Sequence, residues 1–263
     1  MKTSVFWLLF FFPVFAGAEV DADADVEAEV EVVAFHYPPL IIAGHEQKGM
    51  IPELLKAAMK EMNMTLKLKL LPPKRAFKEF YEKDVLILST FRILKSEKFR
   101  MLPVTKVHGA FFGTNKHSKI QRVAYNRGFT LLEKIIKAKS HEPFPVPHVK
   151  AAIKALEADR AQRIFASNLN LNYVMQHNFK ELSKKLRMIE GPFYSDAAGL
   201  VGKKSQKETL LKIQKGLDKI RQKGRYQMVA KKYLDPYLGK FSLNDFLYQK
   251  LDLIKQEEAA NAF

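Results

Sequence analysis

The spacing of apolar and polar positions predicts strands and helices in turn along most of the chain. Residues 32–35 form a short apolar run, which predicts a strand. In the next segment a proline lies in the first turn and apolar residues recur at helical spacing, which predicts a helix over 51–62. A strand over 65–70, a helix over 74–81 and a strand over 85–88 follow. This βαβαβ order favours a mainly parallel sheet with right-handed crossovers.

A second α/β unit follows the extended segment 104–113. Its predicted elements are strand 121–125, helix 130–138, helix 149–158, strand 162–166, helix 171–177 and strand 186–189. Residues 194–202 are extended again, and two helices close the pattern. The first is expected to begin with a capping box, in which Ser205 and Glu208 each bond a free backbone N–H, and the second spans 226–233.

Residues 1–18 have the three parts of a secretory signal peptide. Lys2 supplies a positive charge, residues 5–15 are almost wholly apolar, and Ala16 and Ala18 are the small residues that a signal peptidase requires. About eleven apolar residues are too few to span a bilayer, and no cysteine follows for lipid attachment. We therefore expect cleavage after Ala18 and a periplasmic location. Residues 19–31 alternate acids with Ala and Val, and we interpret them as a solvated acidic leader.

Composition and charge narrow the possible partners. Apolar residues make up 47% of the chain, which is ample for a core, and the chain contains no cysteine. The formal net charge is +16, and residues 32–263 alone carry about +22 because seven acids lie in the leader. A basic surface suits nucleic acid, anionic lipid or an acidic ligand. The signal peptide argues against nucleic acid, and the bases are spread along the chain rather than gathered in one run.

Four short motifs follow one another in a characteristic order. They are FHYPP at 35–39, RA at 75–76 with Asp84 after it, VAYNRGFT at 123–130 and AGLVGKKS at 198–205. In this order they resemble the family 3 periplasmic solute-binding proteins, of the amino-acid-binding type. The resemblance extends over nearly the whole chain after residue 18.

The resemblance implies a two-lobed α/β fold, with mainly parallel sheets flanked by helices and joined by two crossover strands. Residues 32–108 together with 198–263 are expected to form one lobe, and residues 113–190 the other. A ligand is expected in the cleft between the lobes. The resemblance further implies a monomer that binds a small-molecule solute without a cofactor and works with a membrane permease.

Two arginines and a strand-to-helix turn are candidate anion ligands. At Gly128–Thr130 the backbone N–H groups and the Thr130 hydroxyl can cradle an anion, although a plain helix cap is the alternative. The resemblance implies a carboxylate clamp soon after the third strand, in the run that begins at Thr90, where Arg92 and Lys98 are the two candidates. Arg75 is a further candidate clamp. A surface arginine is the alternative for Arg92, and a structural ion pair is the alternative for Arg75.

The second lobe departs from the family pattern. Ser167 and Asn168 lie where amino-acid binders carry an acid that pairs with the ligand's ammonium group. A buried ammonium without a carboxylate partner is costly. The sequence therefore predicts a neutral polar or anionic solute rather than a cationic one, held by Ser167, Asn168 and, across the cleft, Tyr37.

The favoured hypothesis is solute capture for uptake through an ABC-type permease. An envelope sensory or interaction protein of the same fold, without a transporter, is the first alternative. A small-acid dehydratase is the second, although the sequence contains no Gly-x-Ser-x-Gly, His-Glu-x-x-His or phosphate-loop motif. The seven histidines have no metal-ligand spacing, so we expect neither catalytic residues nor a metal.

Overall fold

The structure is a computed structural model that describes residues 28–44, 48–90, 98–114, 121–127 and 130–248. The strands in these ranges are β1 (Ala28–Ala34), β2 (Met64–Leu70), β3 (Leu86–Thr90), β4 (Phe99–Gly113), β5 (Arg122–Asn126), β6 (Glu142–Val146), β7 (Arg163–Ser167) and β8 (Arg187–Lys203). The helices are α1 (Met50–Lys60), α2 (Pro73–Glu82), α3 (Thr130–Ala138), α4 (Val149–Glu157), α5 (Asn168–Asn178), α6 (Lys180–Ser183), α7 (Lys207–Gln222) and α8 (Arg225–Leu234). The predicted signal peptide lies outside the described residues.

The eight strands form one mixed sheet in the order β2-β1-β3-β8-β4-β7-β5-β6. At one end, β1 pairs in parallel with β2 and β3, and at the other end β5 pairs in parallel with β6 and β7. Between these two groups, β8 is antiparallel to both β3 and β4, and β4 is antiparallel to β7. The predicted α/β class, with two parallel groups of strands, is confirmed.

The central strands β4 and β8 are long and form a ribbon that joins the two parallel groups. They pair from Phe99 opposite Lys203 to Gly113 opposite Arg187, with register shifts next to Pro103 and Gly109. The extended segments predicted at 104–113 and 194–202 are parts of these two strands. We call the strands on the β3 side of the ribbon the first half of the sheet and those on the β7 side the second half.

Helices cover both faces of each half, which explains why inner strands such as β3 and β7 are buried along nearly their whole length. In the first half, α1, α7 and α8 enclose one core with the strands, and α2 encloses a second one around Phe35 and Phe80. In the second half, α4 and α5 cover one face, and α3 covers the other around Phe111 and Phe165. Among the described residues no helix is long and apolar enough to cross a membrane.

Three local features differ from the predictions. Strand β1 begins at Ala28, inside the predicted acidic leader, because Val30 is buried while Glu29 on the other face pairs with Lys67 at 3.1 Å. Residues 142–146, which contain two prolines and were not predicted to be a strand, form β6 at the edge of the sheet, where a residue without an N–H group is tolerated. Helix α7 begins at Lys207, after a short 3₁₀ turn.

The predicted capping box at the start of α7 is wrong. Ser205 lies inside the 3₁₀ turn Lys204–Gln206 rather than at the N-cap, and Gln206 supplies the side-chain bond instead. Its Oε1 accepts a hydrogen bond from the backbone N–H of Lys203 at 2.9 Å. The turn therefore places the capping contact two residues earlier than the Ser-x-x-Glu pattern indicates.

Candidate functional site

The ends of β3 and β7 point toward each other across the central ribbon. Thr90, the last residue of β3, pairs with Ala198 of β8, which in turn pairs with Thr105 of β4. Ser167, the last residue of β7, pairs with Gly109 of β4. Four steps of β4 separate these positions, which is about 13 Å at about 3.3 Å per residue.

The neighbouring strands β1 and β5 end beside β3 and β7, because they pair with them in parallel. The carboxyl ends of both parallel groups therefore face one gap over the middle of the ribbon, which we call the cleft. In open α/β sheets ligands bind outside the carboxyl ends of the strands. The cleft is therefore the candidate site.

Tyr37 from the first half meets Ser167 from the second half in this cleft. It follows β1 in a tight turn, in which the backbones of Tyr37 and Ile41 exchange hydrogen bonds of 2.8 and 3.0 Å. Burial raises the pKa of the Tyr37 hydroxyl to about 12; the Ser167 side chain acts against this rise, and the charge of Asp196 adds to it. Two residues selected from the sequence are thus brought together from opposite halves.

Ser167 and Asn168 are buried with unsatisfied oxygen atoms. Their exposed fractions are 6% and 1%, and Ser167 Oγ and Asn168 Oδ1 have no hydrogen-bond partner among the described residues. The Ser167 hydroxyl is close enough to Tyr37 to affect its pKa but does not have hydrogen-bond geometry. An unpaired buried polar group costs about 1–3 kcal/mol. Ser167 lies at the cleft, where such a group indicates a missing ligand or solvent contact.

Asp196 is a site residue that the sequence analysis missed. Asp196 is only 4% exposed on β8, where it pairs in register with Val107 of β4. Its charge contributes to the raised pKa values of both Tyr37 and Tyr248, so the three side chains share one region. The sequence feature that could have identified Asp196 is its position as a single acid at the start of the small and apolar run 196–201. The family pattern places the acid near Ser167 and Asn168 instead, so the pattern does not point to Asp196.

Comparison with solved structures identifies the architecture. The ligand-binding core of GluR0 from Nostoc punctiforme, in complex with L-glutamate, has a TM-score of 0.66 and 17% identity over 79% of this chain and 100% of that one. A histidine kinase sensor domain with similarity to periplasmic binding proteins has a TM-score of 0.66 and 19% identity over 79% of this chain and 97% of that one. A periplasmic binding protein of an arginine transport system from Legionella pneumophila has a TM-score of 0.65 and 14% identity over 78% and 99%.

The chain has the periplasmic-binding-protein fold. No protein-family model matches the sequence, and no curated protein matches it. The likeness is therefore one of structure, and it confirms the fold that the four sequence motifs implied. In the periplasmic-binding-protein fold the cleft described above is bounded by both halves of the sheet.

The remaining predicted site residues lie in different places relative to the cleft, and some lie outside the described residues. Thr90 lies at the cleft, partly exposed at the end of β3. Arg75 is exposed near the start of α2 and has no ion-pair partner among the described residues. Arg92 and Gly128 lie outside the described residues, and Thr130 is the first residue of α3. Their roles stay predictions.

Lys98 does not lie at the cleft of this periplasmic-binding-protein fold. It directly precedes β4, and its carbonyl accepts a hydrogen bond from the Lys204 N–H at 3.0 Å, at the outer end of the ribbon. Six steps of β4 separate Phe99 from Thr105, which is about 20 Å at about 3.3 Å per residue. Lys98 is therefore too far from the cleft to act as the clamp, and the role of Arg92 stays a prediction.

His108 connects the middle of the ribbon to the segment that follows α8 through a hydrogen bond and a stacked ring. Its Nε2 donates to the Asp245 carbonyl at 2.9 Å, so Nδ1 accepts from the Ser195 hydroxyl at 2.6 Å. Phe241 stacks on the ring, with the two ring centroids 5.0 Å apart. Burial lowers the pKa of His108, and the Asp245 carbonyl offsets part of this effect. The described residues contain no group of three or more side chains suited to hold a metal ion.

Acidification is expected to destabilise the protein through His108. Its pKa in the folded state lies below the unfolded value of about 6.5, so the unfolded chain binds the proton first as the pH falls. This contribution to stability is present above the unfolded pKa and is lost progressively as the pH falls below it. The melting temperature should fall less between pH 7.5 and pH 5.5 in His108→Phe than in the wild type. Each kcal/mol of unfolding free energy that protonation of His108 removes corresponds to about 2–4 °C. An equal difference in both proteins would contradict the assignment.

Proposed function

We propose that this chain captures a small polar or carboxylate-bearing solute in the cleft. The observation that carries the proposal is the meeting of Tyr37 and Ser167 across the cleft, with the Ser167 hydroxyl buried and unpaired. A solute that supplies the missing hydrogen bond would be held by both halves at once. The named neighbours, which include a glutamate-bound core and an arginine-transport protein, support a solute of amino-acid size.

The charges around the cleft favour a solute with both a carboxylate and N–H donors. Arg75 lies in the first turn of α2, next to the end of β2, and therefore on the same edge of the sheet as the end of β1. Arg92 follows β3 in the sequence. A carboxylate on the solute would pair with such an arginine, while the buried Asp196 carboxylate favours a donor. We infer a neutral or anionic solute, in agreement with the expectation from the sequence.

Uptake is the proposed biological role. Export with cleavage after Ala18, monomeric behaviour and delivery to an ABC-type permease follow from the sequence motifs and belong to this proposal. So do the predicted lobes, 32–108 with 198–263 and 113–190. A sensory role without a transporter is the second candidate, because a histidine kinase sensor domain has the same fold.

The proposal is tested by a thermal-shift screen of the secreted protein against amino acids and small carboxylates. A solute that binds only the folded state raises the melting temperature, by the free energy RT ln(1 + [L]/Kd). Recovery of the solute unchanged is expected for a binding protein, and its conversion to a product would identify a lyase instead. No shift with any compound would contradict solute capture by this cleft.

Removal of the arginine clamp is expected to weaken binding of any solute found in the screen. Truncating one partner of a charged pair that the bound solute buries costs about 2–5 kcal/mol. Arg92→Ala or Arg75→Ala should therefore lower the affinity by this amount, measured by calorimetry. The control is Lys74→Ala, an exposed cation on the same helix as Arg75. If both arginine variants keep the wild-type affinity, the solute is not held by a carboxylate clamp.

A further inference from the structure

A cavity separate from the cleft lies beside α5. It is covered by residues 235–241, which follow α8 and which we call the strap. Three amide side chains on one face of α5, Asn168, Asn172 and Gln176, donate hydrogen bonds to the strap. The acceptors are three successive carbonyls, those of Leu238 at 3.3 Å, Tyr237 at 2.8 Å and Pro236 at 2.6 Å. The strap is thereby fixed along α5.

The cavity has a volume of about 310 Å³ between α5, the start of β8 and the strap. This volume is at the lower end of the range for small-molecule sites. Its wall contains seven apolar side chains, namely Phe112, Met175, Leu186, Met188, Pro236, Leu238 and Phe241. The two methionines are flexible and adapt to ligands of different shape. The wall therefore suits the apolar body of a small ligand.

One buried polar atom in this wall has no partner. Asn168 is 1% exposed, and its Nδ2 must be the atom that donates to the Leu238 carbonyl, since a carbonyl only accepts. The orientation of the amide is thereby fixed, and Oδ1 is left without a hydrogen bond among the described residues. An N–H or O–H group of a ligand would satisfy it. Asn168 thus indicates that the ligand carries a donor.

Two cations line the same cavity on its solvent side. Arg187 and Lys240 are both exposed, and neither has an ion-pair partner in the part of the chain that the structure describes. The nearby Lys184 is already paired with Glu181 at 3.1 Å. Two unpaired cations beside an apolar wall attract a carboxylate. The anionic end of the ligand is therefore expected at the rim.

We propose that this cavity is a second binding site, for a small amphipathic carboxylate that also carries an N–H donor, such as an N-acylated apolar amino acid. The carboxylate contacts Arg187 and Lys240, the apolar body contacts Met175 and Met188, and the N–H group donates to Asn168 Oδ1. A bound ligand adds contacts to both α5 and the strap. Asn168, selected from the sequence as a cleft residue, contributes its Oδ1 to this second site instead, and none of the cleft residues Tyr37, Thr90, Ser167 and Asp196 lines the cavity.

The test is a titration of the full secreted chain, labelled with ¹³C in the methionine methyl groups, with N-acetyl-L-leucine. Met175 and Met188 line the cavity and report on binding there. Saturable shifts at these two methyl groups, with a Kd of about 1 mM or lower, are expected. 4-Methylpentanoate, which lacks the N–H group, and N-acetyl-L-leucine amide, which lacks the carboxylate, should each bind at least about tenfold more weakly.

Matched variants locate the binding site. The double variant Arg187→Ala/Lys240→Ala changes two exposed side chains and should weaken binding at least about tenfold. Lys185→Ala removes an exposed cation that does not line the cavity, and it should bind as the wild type does. Absence of saturable shifts at both methionines in the folded wild type would overturn the proposal. So would equal binding by the double variant and by Lys185→Ala.

Discussion

Gly216→Ala is expected to destabilise the protein by about 3 kcal/mol, because it forces α7 away from α1. A Cβ atom at Gly216 would lie 2.1 Å from the carbonyl oxygen of Ala58 in α1 and 2.8 Å from its carbonyl carbon. These are backbone atoms, which cannot rotate away as the end of a side chain can. The higher helix propensity of alanine, about 1 kcal/mol, is smaller than the cost of this overlap.

A fall in melting temperature of about 6–12 °C is expected for Gly216→Ala. The matched control is Lys215→Ala in the same helix, which changes an exposed residue and should alter stability by less than about 0.5 kcal/mol. Thermal denaturation of both variants measures the difference. If Gly216→Ala were as stable as the control, the close packing of α1 on α7 would be wrong.

Tyr37→Ala is expected to weaken solute binding in the cleft by about 2 kcal/mol or more, which is roughly thirtyfold. Tyr37 is the aromatic side chain that follows β1 and reaches Ser167 of the second half. Its removal takes away a wall of the cleft and one of the groups that connect the two halves. Calorimetry with a solute from the screen measures the loss.

The control for this variant is Tyr81→Ala, which removes an aromatic ring that is 54% exposed on α2. Both proteins should remain folded, since Tyr37 is only partly buried at the end of a strand. Equal affinities of Tyr37→Ala and Tyr81→Ala would show that the solute does not contact Tyr37.

Much of the fold could be predicted from apolar spacing, because strands buried under helices leave strong periodic signals. Strands β2, β5 and β7 and helices α2, α3, α4 and α8 lie within a few residues of their predicted bounds. Strand β6 could not be predicted in this way. Its prolines argue against a strand, and only its position at the edge of the sheet makes them acceptable.

The candidate site was harder to predict from the sequence than the fold was. Tyr37 and Ser167 could be selected because they follow strands, but their proximity depends on how two halves of the chain meet. Asp196 was missed because its importance arises from burial beside Tyr37, which no local pattern reveals. Lys98 was retained as a candidate because distance along the sequence does not show that β4 carries it to the outer end of the ribbon.

The most direct test of the central claim is hydrogen exchange with and without a solute from the screen. If the solute binds in the cleft, amides at the end of β3 (Leu86–Thr90) and at the end of β7 (Arg163–Ser167) should both exchange more slowly when the solute is bound. These segments are far apart in the sequence and face each other only across the cleft. Protection at both ends in the same titration is the predicted result. Protection confined to one of them, or found only at other sites such as α7, would contradict binding between the two halves.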